Sequence, residues 1–163
     1  MIHLMPQPWF RATATSRIVH EILRHASRPL VEGERALGSF ILPPFQRHPV
    51  WTQQQQISLL ESMWSGLPIG CCVFNQTKSE GPTDEWLLDG QQRVTAIIAY
   101  TNDKFPVYGY KFSELPINEK RCFHTTPISV YITDITNASE CRLVYDRLAY
   151  GGTAHEREDE SCE

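Results

Sequence analysis

The segment Trp86-Leu87-Leu88-Asp89-Gly90-Gln91-Gln92-Arg93-Val94 constrains the fold of this chain more than any other. A buried apolar run of strand length meets Asp-Gly, and the period then switches, with Val94, Ile97, Ile98 and Thr101 recurring on one helical face. Strand, tight glycine turn and helix thus succeed one another within about fifteen residues.

The flanking segments extend the pattern. The stretch to Ala14 holds Pro6 and Pro8 and shows no period, so residues 1–14 read as an arm. From Ser16, the residues Ile18, Val19, Ile22, Leu23 and Ala26 recur at helical spacing until Pro29 stops them. Phe40-Ile41-Leu42 reads as a brief strand that runs into Pro43-Pro44, where proline cannot donate to a ladder. Thr52 with Gln55 fits a capping box ahead of a helix carrying Ile57, Leu60, Met63 and Trp64, ended by Gly66 and Pro68. Ile69–Phe74 is a second apolar strand, Phe105–Tyr110 is strand-like, and Phe112–Glu119 reads as a loop or short turn. Ile128, Val130 and Ile132 alternate as a strand should, and Ala138–Leu148 is a last helix ended by Gly151-Gly152. Short strands interspersed with helices predict one α/β or α+β domain over 15–153, a small mixed sheet flanked by helices.

Charge and cysteine usage narrow the class. The chain has 19 acids and 15 Lys or Arg, a net of -4, which argues against a generic polycationic nucleic-acid binder. Residues 155–163 carry five of those acids and one base, so the rest is neutral and 154–163 reads as an acidic, disordered tail. Five cysteines without a C-x-x-C pair, and six histidines without ligand spacing, fit neither a disulfide framework nor a zinc site. With no leader-like segment and no apolar stretch of membrane length, the expectation is a cytoplasmic protein without membrane partners.

Two segments hold residues suited to chemistry. A helix that starts after Asp89-Gly90 presents unpaired N–H groups and a partial positive charge, so an anion is stabilised there. Arg93 can fork onto phosphate oxygens, Gln91 and Gln92 can donate to phosphate or orient a water, and Asp89 can hold Mg²⁺. The local pattern equally allows a plain turn in which Asp89 caps the helix and the glutamines are solvated. The second segment, Pro43-Pro44-Phe45-Gln46-Arg47-His48-Pro49-Val50-Trp51, joins a rigid turn to cations and two aromatics, which suits a phosphate and a flat base. It equally suits a loop whose Phe45 and Trp51 pack into the core.

The motifs "PPFQRHPVW", "LLESMWSGLPIG", "LLDGQQRVTAI" and "YDRLAYGGT", in that order from about Gly38 to Thr153, resemble the N-terminal domain of GmrSD-type, modification-dependent restriction enzymes. That domain carries a D-G-Q-Q-R motif and belongs to the ParB/sulfiredoxin-like superfamily. The resemblance implies a ParB-like fold that binds a nucleoside triphosphate and Mg²⁺ and hydrolyses the nucleotide. It places Asp89, Gln91, Gln92 and Arg93 in catalysis, Asp89 also on the metal, and Gly90, Gln46, Arg47, Thr95 and Glu61 in binding the nucleotide or its phosphates. Glu61 matches an acid facing the turn, with a surface carboxylate as the plainer alternative, and Thr95 matches the position two after the motif arginine, with helix capping as its alternative. The family's R-L-N-x-G-G helix end reads Arg147-Leu148-Ala149-Tyr150-Gly151-Gly152 here, so Ala149 stands where an Asn amide is expected.

Two functional readings follow. One is an NTP-hydrolysing domain of a phage-defence restriction system, without a nuclease of its own. The alternative is a non-catalytic nucleotide- or DNA-binding adaptor that acts with a separate nuclease or effector, and the sequence leaves a homo-oligomer open. A phosphotransferase is a third option, but no segment designates its acceptor.

Overall fold

A seven-residue ladder, not local propensity, decides how the chain begins. A computed structural model describes residues 10–78 and 81–150. In it Ala12–Ile18 forms strand β1, antiparallel to β6 (Pro127–Thr133) from Ala12↔Thr133 to Ile18↔Pro127. The helix expected from Ser16 shrinks to α1 (Val19–Ile22), and the expected arm boundary at residue 14 falls inside β1. Pairing along a whole strand outweighs the helical spacing of a few apolar residues.

Beyond α1 come the hairpin β2 (Arg35–Leu37) and β3 (Phe40–Leu42), α2 (Gln53–Trp64), β4 (Cys71–Asn75), β5 (Leu87–Asp89) and α3 (Gln91–Thr101). A short 3-10 turn at Phe112–Glu114, α4 (Ile117–Thr125), β6 and α5 (Ala138–Tyr150) complete the described residues. The main sheet has the order β1-β6-β4-β5, with β4 parallel to β6 and antiparallel to β5. This is a mixed α/β domain, as the sequence leads one to expect. The hairpin docks on α1 through Ser39, whose N–H donates to the Ile22 carbonyl at 2.9 Å. A side chain at Gly38, where φ is 61°, would collide with that carbonyl.

Successive residues of β4 face opposite ways and build two cores. Cys72 and Phe74 join Leu60, Val94, Ile97, Tyr100 and Phe123 beneath α2, α3 and α4. Val73 joins Ile41, Trp86, Leu88, Cys141 and Val144 beneath α5. One sequence expectation fails and another holds in part. Phe105 and Val107 are buried, but the chain turns at Tyr108 and Gly109, both at positive φ, and forms only a bridge between Val107 and Tyr110. The loop or short turn expected over Phe112–Glu119 is realised as the 3-10 turn up to Leu115 and gives way to α4 from Ile117; that helix buries Phe123 alone, so it has no apolar stripe for the sequence to announce. The arm residues 1–9, the glycines expected to end α5 and the acidic tail lie outside the described residues. Among those described, no helix is long and apolar enough to cross a membrane.

Candidate functional site

The turn at Gly90 fixes the geometry of the site. Gly90 has φ 105°, in the left-handed region, and a Cβ there would run into the Cys72 side chain of β4. Only glycine meets both conditions. The Val94 N–H donates to the Gly90 carbonyl at 3.0 Å and opens the α3 ladder, which leaves the N–H groups of Gln91, Gln92 and Arg93 outside it. Gly90 is the N-cap and has no side chain to cap with. Asp89 does not cap the helix: it ends β5, and its Oδ2 accepts a 2.7 Å bond from Arg93 Nη2.

The same nitrogen donates to the Cys71 carbonyl at 2.6 Å, so Arg93 is held by β4 and β5 together. Burial opposes its charge, but Asp89 and the Cys72 thiol outweigh that effect and raise its pKa above the usual arginine value. Burial also pushes the Cys72 thiol up, against the pull of Arg93, which keeps the sulfur protonated and unreactive at neutral pH.

Opposite the turn runs the loop from Pro43 to Trp51. Arg35 of β2 holds it: Nη2 donates to the carbonyls of Gln46 at 2.6 Å and Arg47 at 3.3 Å, and Nη1 lies 3.1 Å from His48 Nδ1. Phe45 packs edge-on against Trp86 and tilted against Tyr145, so this aromatic is structural. Trp51 instead borders the cavity, and its backbone N–H donates to Gln92 Oε1 at 3.3 Å.

Between this loop, the start of α3 and the last turns of α5 lies a cavity of about 190 Å³. Gln46, Arg47, Asp89, Gly90, Gln91, Gln92 and Arg93 all line it. Two segments some forty residues apart in sequence thus meet at one place. Glu61 and Thr95 do not line it. Helix α2 turns Leu60 and Met63 into the core, which leaves Glu61 half-buried away from the cavity wall. Thr95 does not cap the helix either, because its buried hydroxyl makes no hydrogen bond.

Of the two motif glutamines, Gln91 is not solvated, while Gln92 is half-buried and accepts from Trp51. Gln46 and Gln91 are each 6% exposed, and Gln46 Oε1, Gln91 Nε2 and Arg93 Nε are buried without a hydrogen-bond partner. A buried polar group left unpaired costs about 1–3 kcal/mol, and here three belong to residues that line one cavity. Arg47, exposed, and Arg93 set two positive charges against the single carboxylate of Asp89. Among the described residues no cluster of three or more His, Cys, Asp and Glu could hold a metal ion. Mg²⁺ nevertheless suits a site with one carboxylate, because it binds through few protein oxygens plus substrate phosphates and water.

Sequence reasoning gave no role to Arg35, Tyr145 or Leu148. The last two belong to α5 and line the cavity, and the Tyr145 hydroxyl lies beside the Arg47 backbone, its pKa raised by burial. Their signal was the apolar spacing of α5, which cannot say what a helix packs upon. Ala149 also lines the cavity, so the departure from the family's Asn falls on its wall.

The model of the GmrSD restriction endonuclease N-terminal domain matches residues 28–159, and the chain belongs to that family. No curated protein and no solved structure matches it. The matched span contains both segments that build the cavity and the helix that closes it.

Proposed function

We propose that this cavity binds the phosphates of a nucleoside triphosphate and hydrolyses it with Mg²⁺, as the NTPase part of a bacterial restriction system. The observation that carries the reading is the meeting of Arg47, Arg93 and the α3 N-terminus on a cavity whose buried Gln46, Gln91 and Arg93 retain unpaired polar atoms. Anions are what such a helix end and two arginines stabilise. Gln91 Nε2, Arg93 Nε and Gln46 Oε1 are buried in this conformation, and a ligand that shifts the lining would gain two donors and an acceptor from them. Asp89 keeps one oxygen on Arg93 and offers the other to the metal. Bound Mg²⁺ would neutralise charge that develops on the phosphates, and phosphoryl transfer needs little beyond such positioning and neutralisation. Glu61 and Thr95 take no contact role in this reading. By its family, the chain would act in the cytoplasm beside DNA and a separate nuclease.

Phosphate release from each nucleoside triphosphate with Mg²⁺ tests the proposal. Wild type should release phosphate, and Asp89→Ala and Arg93→Ala should each lower the rate about a hundredfold or more. Equal rates in both variants would remove the idea.

A second reading, a nucleotide-binding adaptor without turnover, is favoured by one feature. Among the described residues, the one carboxylate at the cavity is already bonded to Arg93. Calorimetric binding by wild type with no phosphate release would select it.

A further inference from the structure

The geometry points to a second compartment of the same site, an apolar groove that receives the base and sugar of the nucleotide; this rests on the phosphate reading above. The topology places the end of β5 and the starts of β4 and β6 at one end of the sheet. Beside the polar cavity at that end lies a larger one of about 550 Å³. Its walls include Met63, Leu67, Ile69, Cys71, Ile128 and Tyr131, and among the described residues no charged one lines it. Leu67 and Tyr131 are 59% and 42% exposed, large apolar surface that nothing among the described residues covers.

Arg93 joins the two compartments. It lines the polar cavity, while its Nη2 binds the carbonyl of Cys71 and its Nη1 lies 3.7 Å from where a Cβ of Gly70 would be. Gly70 and Cys71 both line the apolar cavity. A phosphate on Arg93 is therefore one residue's thickness from the groove. The polar cavity, at about 190 Å³, is small for a whole nucleotide, since ligand pockets run to roughly 300–1,000 Å³. A ligand anionic at one end and flat and apolar at the other fits the pair of cavities better than either alone. A nucleoside triphosphate has that form, and Tyr131 offers its base an aromatic face.

Calorimetry of the full chain with Mg²⁺ separates the two compartments, with ATP and inorganic tripolyphosphate as probes. Wild type should bind ATP about tenfold or more tightly than tripolyphosphate, the gain expected of one stacked base. Leu67→Ser and Tyr131→Ser, both at exposed positions, should each weaken ATP to within about threefold of tripolyphosphate and leave tripolyphosphate unchanged. Either an absence of ATP's advantage in wild type or its persistence in both variants would overturn the groove. Arg93→Ala serves as the control for the phosphate reading: it should weaken both probes. If Arg93→Ala weakens both but the groove variants change nothing, only the base placement fails. If neither probe binds wild type, the phosphate reading fails and the groove with it.

Discussion

The two ends of β4 treat buried amides in opposite ways. At its last residue, Asn75 is fully buried, and its Nδ2 donates to the carbonyls of Thr83 at 2.9 Å and Ile135 at 2.7 Å. Its Oδ1 accepts from the Thr133 hydroxyl at 2.7 Å and the Ile135 N–H at 2.8 Å. Around the first residues of β4, by contrast, Gln46, Gln91 and Arg93 leave buried atoms unpaired. A satisfied network fixes structure, whereas an unsatisfied one carries an uncompensated cost. One end of the strand is thus fully paired, and the other carries the polar atoms on which the proposed binding rests.

That contrast can be broken by substitution. Asn75→Ala should have the largest effect, a loss of about 3 kcal/mol or more in urea unfolding, because the Ile135 N–H and several other buried groups lose their partner at once. Arg93→Ala should come next: calorimetry should show tripolyphosphate affinity falling about thirtyfold to a hundredfold, the scale of a lost charge-assisted pair. Gln91→Leu should change unfolding stability by about 1 kcal/mol or less, because it replaces an amide whose nitrogen has no partner with an apolar group of similar size. A large destabilisation there would mean that the cavity end is as structural as the Asn75 end.

The smallest effect is that of pH. Arg93 has its pKa raised by Asp89 and Cys72 against the cost of burial, and burial raises that of Tyr145. An arginine pKa moved upward keeps the cation at every pH below it, and a tyrosine moved upward stays neutral. Tripolyphosphate affinity should therefore be flat between about pH 7.5 and 9. A steady fall across that window would assign the binding to some other group.

The same contrast explains what the sequence could disclose. The turn at Gly90 and the capping box of α2 are local devices. The box is realised with the Thr52 N–H donating to Gln55 Oε1 at 2.8 Å and the Gln55 N–H to Thr52 Oγ1 at 3.3 Å. Residue type and spacing suffice to announce such features. The meeting of Gln46 and Arg47 with Asp89, Gln91, Gln92 and Arg93 came from the family motifs rather than from periodicity. What stayed hidden depends on distant partners. Ala12–Ile18 becomes a strand only because β6 lies beside it, and Tyr145 reaches the cavity only because α5 packs on β5. Glu61 shows the converse error: its motif promised a carboxylate at the turn, and the packing of Leu60 and Met63 carried it elsewhere.

The most direct test of the central claim is a crystal structure of the chain soaked with a nucleoside triphosphate and Mg²⁺ at saturating concentration. Phosphate density between the Arg47 side chain and the Gly90 turn is the expected result. A cavity that stays empty under those conditions, or phosphates bound on another face, would contradict it.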